Sequence, residues 1–143
     1  MAQDSDDFDW VSAQATCNTT TMFERLRTQV QADVLRRNGL FGRDDGTRFA
    51  VHDSEDEEED AFEVSRLEGT GPSPRVTALV VFARVGKRIH ITSEDFELDL
   101  TAIVTLDPAG ACRFVVGEAI YSEWEIRRMA LELMFFEERE DEE

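Results

Sequence analysis

The chain has 143 residues, 41% of them apolar, with ten Phe and two Trp, and a formal net charge of −17. That is the size of one ordinary domain with enough apolar material for a packed core, so wholesale disorder is excluded. The charge disfavours direct nucleic-acid binding, which needs a basic field to meet phosphates, and no apolar run approaches the ~18–20 residues of a membrane span.

The acidity is gathered, not spread. Asp4, Asp6, Asp7 and Asp9 open the chain, seven carboxylates fill the eight residues from Asp53 to Asp60, and six more lie between Glu137 and Glu143. Outside those runs, acids and bases nearly balance. The first 17 residues are expected to form a flexible acidic arm, from which Phe8, Trp10 and Val11 can dock on the body. MAQDSDDFDW has neither a basic n-region nor an apolar h-region, so no secretory signal is expected and a cytoplasmic protein is. Cys17 and Cys112 lack CxxC spacing, and reduced, partly buried thiols are expected.

The first helix is read from TTTMFERLRTQVQADVLRRNG. Phe23, Leu26, Val30 and Val34 recur at spacings of three and four, which makes one apolar stripe. Thr21 and Glu24 fit a capping box, and Asn38-Gly39 a C-terminal stop after which Leu40 folds back. The period then changes to two. Phe49 and Val51 share one side of a short strand, Phe62 and Val64 one side of its partner, and the acidic run joins them. VTALVVFARV, Val76 to Val85, is apolar on both faces, as in a central strand covered at least partly on each side. Gly86-Lys87 turns into Arg88–Thr92, with Ile89 and Ile91 inward. Leu98, Leu100, Ala102, Val104 and Leu106 face one way, Asp99, Thr101 and Thr105 the other. After the turn DPAG, Cys112, Phe114 and Val116 line the last strand. A second helix starts at a capping box of Ser122 and Glu125, with Tyr121 and Ile126 placed as a hydrophobic staple.

This order, without repeats or a βαβ unit, argues for the α+β class. The expectation is an N-terminal helix, a six-stranded antiparallel meander and a C-terminal helix packed on the sheet, both helices lying on its concave face. One domain over residues 18–138 is followed by an acidic tail at 139–143.

Few residues suggest chemistry. An EF-hand loop counted from Asp53 needs Gly at position 6 and Glu at position 12, where Glu58 and Val64 stand, so a solvated connector is expected and no metal. His52 and His90 fall on the polar sides of short strands, away from any ligand set. No nucleophile elbow and no phosphate-cradling glycine loop occurs. The chain is therefore not expected to be an enzyme or to hold a cofactor. Arg127 and Arg128, among Glu123, Glu125 and Glu132, read as partners in salt bridges.

The second helix carries more apolar surface than one stripe needs: Trp124, Met129, Met134, Phe135 and Phe136. Core burial is the first expectation, with Trp124 as an anchor packed on the sheet. The surplus, together with Glu57, Glu58 and Glu59 of the acidic run, forms the candidate partner-binding set. The reading that follows is a small acidic protein-binding module, an adaptor, chaperone-like protein or inhibitor, with a basic or apolar-faced protein partner and a homodimer as one form. In size, charge and α+β content the chain is similar to acidic secretion chaperones, which implies a dimer that binds protein. A meander closed by a C-terminal helix also resembles helix-grip and cone-shaped α+β domains. That implies the alternative, a monomer enclosing a hydrophobic small molecule in a cavity that Phe82, Phe114 and Trp124 are large enough to fill.

Mutual repulsion in the acidic run costs stability at low salt. Replacing Glu57, Glu58 and Glu59 by Gln should therefore leave the melting temperature equal or higher. A clear drop, or a calcium-induced rise that the replacements abolish, contradicts a simple solvated connector.

Overall fold

A computed structural model describes residues 8–41, 46–54, 60–69 and 72–136. Its elements are helices α1 (Trp10–Thr16) and α2 (Thr19–Phe41), strands β1 (Thr47–Asp53), β2 (Asp60–Glu68), β3 (Arg75–Val85), β4 (Arg88–Ser93), β5 (Leu98–Leu106), β6 (Cys112–Val116) and β7 (Ala119–Tyr121), and helix α3 (Glu123–Phe136). The class is α+β, and the seven strands form one antiparallel meander in sequence order. The sequence reading counted six. The seventh is the three-residue strand that Gly117, in the left-handed region at φ 63°, turns back along β6.

Both helices lie on one face of the sheet. The predicted stripe of Phe23, Leu26, Val30 and Val34 is buried there, against Phe62, Val64, Val80, Phe82, Ile89, Ile91 and Phe114. Phe62 sits at the junction of the layers: its ring stacks on Phe82, with centroids 4.6 Å apart, and meets Phe23 at 5.4 Å. β3 follows the alternation of a one-sided strand, with Ala78, Val80 and Phe82 buried and Leu79, Val81 and Ala83 half-buried on the far side.

Both ends of α2 differ from the expectation. The N-cap is Asn18, not Thr21. Its side-chain oxygen accepts from the Thr21 amide at 2.8 Å, and its carbonyl from the Met22 amide at 2.9 Å. Starting the helix earlier brings Met22 and Phe23 into the core, and Glu24 is left to pair with Arg27 at 3.6 Å. At the other end Asn38-Gly39 does not stop the helix, which continues to Phe41, and Leu40 is exposed instead of folding back. Asn38 has another use. Its amide donates to the Phe49 carbonyl at 3.0 Å and accepts from the Phe49 amide at 2.9 Å, so it occupies the place of a neighbouring strand along edge strand β1. At α3 the carboxylate half of the expected capping box forms: the Glu125 carboxylate accepts from both the Ser122 amide (2.8 Å) and the Ser122 hydroxyl (3.0 Å). These two bonds hold its carboxyl below the usual carboxylate range.

The cysteines overturn a further expectation. Cys17 and Cys112 are joined in a disulfide, with Cα atoms 5.4 Å apart. Within the segment read as a loose arm, residues 10–16 are helical. The acidic stretch 55–59, with Glu57, Glu58 and Glu59, and the tail from 137 lie outside the described residues.

Phe62→Ala should cost roughly 3–5 kcal/mol, because it opens a void where three aromatic rings meet and leaves little of the ~5–15 kcal/mol typical of a domain. Urea unfolding of the variant beside the parent measures it. A loss below about 1 kcal/mol means that this junction does not carry the core.

Candidate docking groove

α2 and α3 run side by side in the same direction. Arg127 of α3 meets the Asp33 carboxylate of α2 at 2.6 Å, and one to two turns further along Arg37 of α2 donates to the Phe135 carbonyl at 2.8 Å. Between the helices lies a cleft of about 340 Å³. Its α2 wall is Asp33, Arg36, Arg37 and Leu40, at helical spacings of three and four. Trp124, Arg128, Leu131 and Phe135 make most of the α3 wall by the same rule, joined by Arg127, Glu132 and Phe136.

The floor residues Leu131, Phe135 and Arg37 are buried. The rim is not. Leu40 is 73% exposed, Trp124 55% and Phe136 55%, and Arg36 and Arg128 are exposed beside them. Leu133 and Phe41 add exposed apolar surface on the same two helices.

Trp124 is therefore not the sheet-packed anchor expected from sequence. The buried stripe of α3 runs through Ile126, Ala130, Leu131, Met134 and Phe135, and Trp124 lies on its flank, turned toward α2. Met134 and Phe135 are core residues, Met129 packs partly against the core, and Phe136 is at the rim. Of the apolar candidates, the groove gathers Trp124, Phe135 and Phe136. Sequence reasoning missed Asp33, Arg36, Arg37 and Leu40. Their spacing on one flank of α2 was a legible signal, but only with α3 known to lie alongside.

Four arginines face two acids in this groove, an inversion of the balance of the chain. Arg127 is committed to Asp33 and, at 3.2 Å, to Glu123; Arg128 is 3.3 Å from Glu132 in an exposed pair worth a few tenths of a kcal/mol. Arg36 has no ion pair among the described residues. Beneath the groove, burial pushes the Glu123 carboxyl above its ordinary value of 4.5; Arg127 and Arg25 oppose the shift, and Asp33 adds to it.

His52 is exposed on β1 and His90 half-buried on β4. Among the described residues no group of three or more His, Cys, Asp or Glu is arranged to hold a metal ion, and no helix is long and apolar enough to cross a membrane. Comparison of the chain with protein-family models, curated proteins and solved structures gave no match.

The raised Glu123 pKa fixes a pH dependence. A carboxyl that titrates higher in the folded state contributes stability below its unfolded value and loses it as pH rises through the folded one. Glu123→Gln keeps the neutral form at every pH. Its melting temperature relative to the parent should therefore climb as pH is raised from about 4.5 to 7. A flat or falling difference across that window contradicts the assignment.

Proposed function

We propose that this chain is a small acidic protein-binding module that takes an amphipathic helix of a partner protein in the α2–α3 groove. The observation that carries the reading is the rim: Leu40, Trp124 and Phe136 stand exposed around the buried Leu131 and Phe135, and Arg36 is unpaired among the described residues. Trp and Arg around a desolvated pocket are the residue types in which binding energy concentrates. Charge complementarity specifies the occupant, an apolar helix face bordered by a carboxylate within reach of Arg36. The acidic runs act at longer range, speeding capture of a partner whose remaining surface is basic, in the manner of an adaptor, chaperone-like protein or inhibitor. Among the described residues that line the groove none is a nucleophile beside a base, and no catalysis is assigned to it. The net charge of −17 sets two copies against each other, so the working form is the monomer in preference to a homodimer. The cytoplasm remains the expected place of action.

One observation favours the alternative of a hydrophobic small molecule: about 340 Å³ is within the range of ligand pockets, ~300–1,000 Å³.

The decisive comparison uses parent, Trp124→Ala and Arg36→Glu as bait for the same partner at moderate salt, each variant first shown to melt within a few degrees of the parent. Truncating a hot-spot Trp costs about 2 kcal/mol or more, so a partner seated in the groove should bind at least about tenfold more weakly to Trp124→Ala. Arg36→Glu should weaken it too. A partner held equally by all three is not in the groove. A purified monomer carrying a tightly bound small molecule supports the alternative, and a concentration-independent dimer mass supports self-association.

A further inference from the structure

α1 is a helix without a core. None of its seven residues is buried, and Trp10, at 61%, is among the most exposed large side chains of the protein. Isolated helices shorter than ~12–15 residues are marginal in water, so something outside its own backbone holds it. The local cap is Asp9, which accepts from the amide of Ser12 at 3.1 Å and its hydroxyl at 2.7 Å. Phe8 and Cys17 reach the body. The Phe8 ring lies over Gly110, where a Cβ would meet it at 2.4 Å. Cys17, the one buried residue of the segment 8–17, is bonded to Cys112.

The post to which the segment is tied is firm. In the β5–β6 turn, Asp107 accepts from the Ala111 amide at 2.9 Å and faces Arg113 at 3.1 Å, and the Gly110 amide donates to the Asp107 carbonyl at 2.9 Å. The tied segment is supported by its own Asp9 cap and by bonds at Cys17, but it buries no residue of α1.

We propose that the Cys17–Cys112 bond is a redox latch. Oxidised, it holds residues 8–17 as a helix against the β5–β6 turn; reduced, it releases them while the helix–sheet body stays folded. The reductant is a dithiol. Its thiolate attacks the sulfur of Cys112, the more exposed of the two, and Cys17 leaves as a thiolate that takes up a proton. The second thiol of the reductant then attacks the mixed disulfide and frees Cys112. The protein gains two electrons and two protons, and the dithiol becomes a cyclic disulfide. The body does not need the bond. Cys17 precedes the α2 N-cap Asn18, and Cys112 is the first residue of β6, whose register with β5 from Leu106↔Cys112 to Ala102↔Val116 is made by backbone. In a reducing compartment such as the cytoplasm, disulfides of this kind are transient and sensing, so the latch closes under oxidative load.

The experiment uses the full chain in three states: purified without reductant, treated with dithiothreitol, and as Cys17→Ser. Thiol titration gives the state of the bond, and amide exchange by mass spectrometry compares residues 8–17 with residues 22–34 of α2. The oxidised protein should show no free thiol. Reduction should speed exchange in 8–17 at least about tenfold and make the chain more sensitive to chymotrypsin, which cuts after Phe8 and Trp10, with 22–34 still protected. Cys17→Ser should match the reduced protein with or without dithiothreitol, which separates the latch from any other action of the reductant. Two free thiols in the oxidised preparation, unchanged exchange in 8–17 on reduction, or loss of protection across 22–34 as well would each overturn the proposal.

Discussion

The arrangement of the helices depends on a buried guanidinium. α2 and α3 end side by side, so the partial negative charges of their last carbonyls converge. Arg37 lies 8% exposed between them. It donates to the Phe135 carbonyl, and its guanidinium carbon is 4.0 Å from the centroid of Phe41, 4.9 Å from that of Phe49 and 5.8 Å from that of Phe136. A charge taken out of water is costly unless it is paired. The Phe135 carbonyl, the helix ends and the rings of Phe41, Phe49 and Phe136 contribute to that compensation. Arg37 falls three residues after Val34, at the next position of the apolar stripe, and so converts the end of a hydrophobic face into a clamp. Phe135 and Phe136, two residues of the α3 wall of the groove, are the ones it touches.

The neighbouring residue extends the same logic to the sheet. Asn38 stands in for an eighth strand along β1, and on β3 the Ser93 hydroxyl donates to the Leu79 carbonyl at 2.6 Å while Asp95 accepts from the Leu79 amide at 3.0 Å, just where β4 parts from its neighbour. Side chains thus satisfy backbone groups that the ladder leaves open. A meander covered on one side can tolerate its edges on these terms, and the bonds also fix α2 against β1 and the β4–β5 loop against β3.

Periodicity made the core legible. The stripe of α2 and the alternation in β2, β4 and β5 point to Phe23, Leu26, Val30, Val34, Phe62, Val64, Ile89, Ile91 and Ala102, all buried, because each depends on phase within a single element. What escaped the sequence lies between elements. Asn18 is as good a cap as Thr21, and only the demand of the core for Met22 and Phe23 chooses between them. Asn38-Gly39 has the chemistry of a stop, overridden by two bonds to a strand eleven residues on. Strand β7 is too short to show a period. Cys17 and Cys112 are 95 residues apart, with nothing local to pair them. For α3, Met134 and Phe135 were among the residues expected in the core and are buried, but the rotation of the helix about its own axis was not legible. That rotation carries Trp124 from the sheet to the groove, and with it the candidate site.

Strand order equal to sequence order also sets how the chain can close during synthesis. Each strand pairs with the one made just before it, so the sheet grows by successive hairpins with little loop entropy to overcome at any step. α2 is in the opposite position. It is made early, with Phe23, Leu26, Val30 and Val34 on one face, yet it packs against strands as late as β5, and Arg37 receives its carbonyl from Phe135, 98 residues further on. A helix made before every strand it packs on is thus sealed only when Phe135 has followed. Over that interval its apolar face waits for its partners, while the opposite side, with Arg25, Gln29 and Arg36, is one that water can solvate.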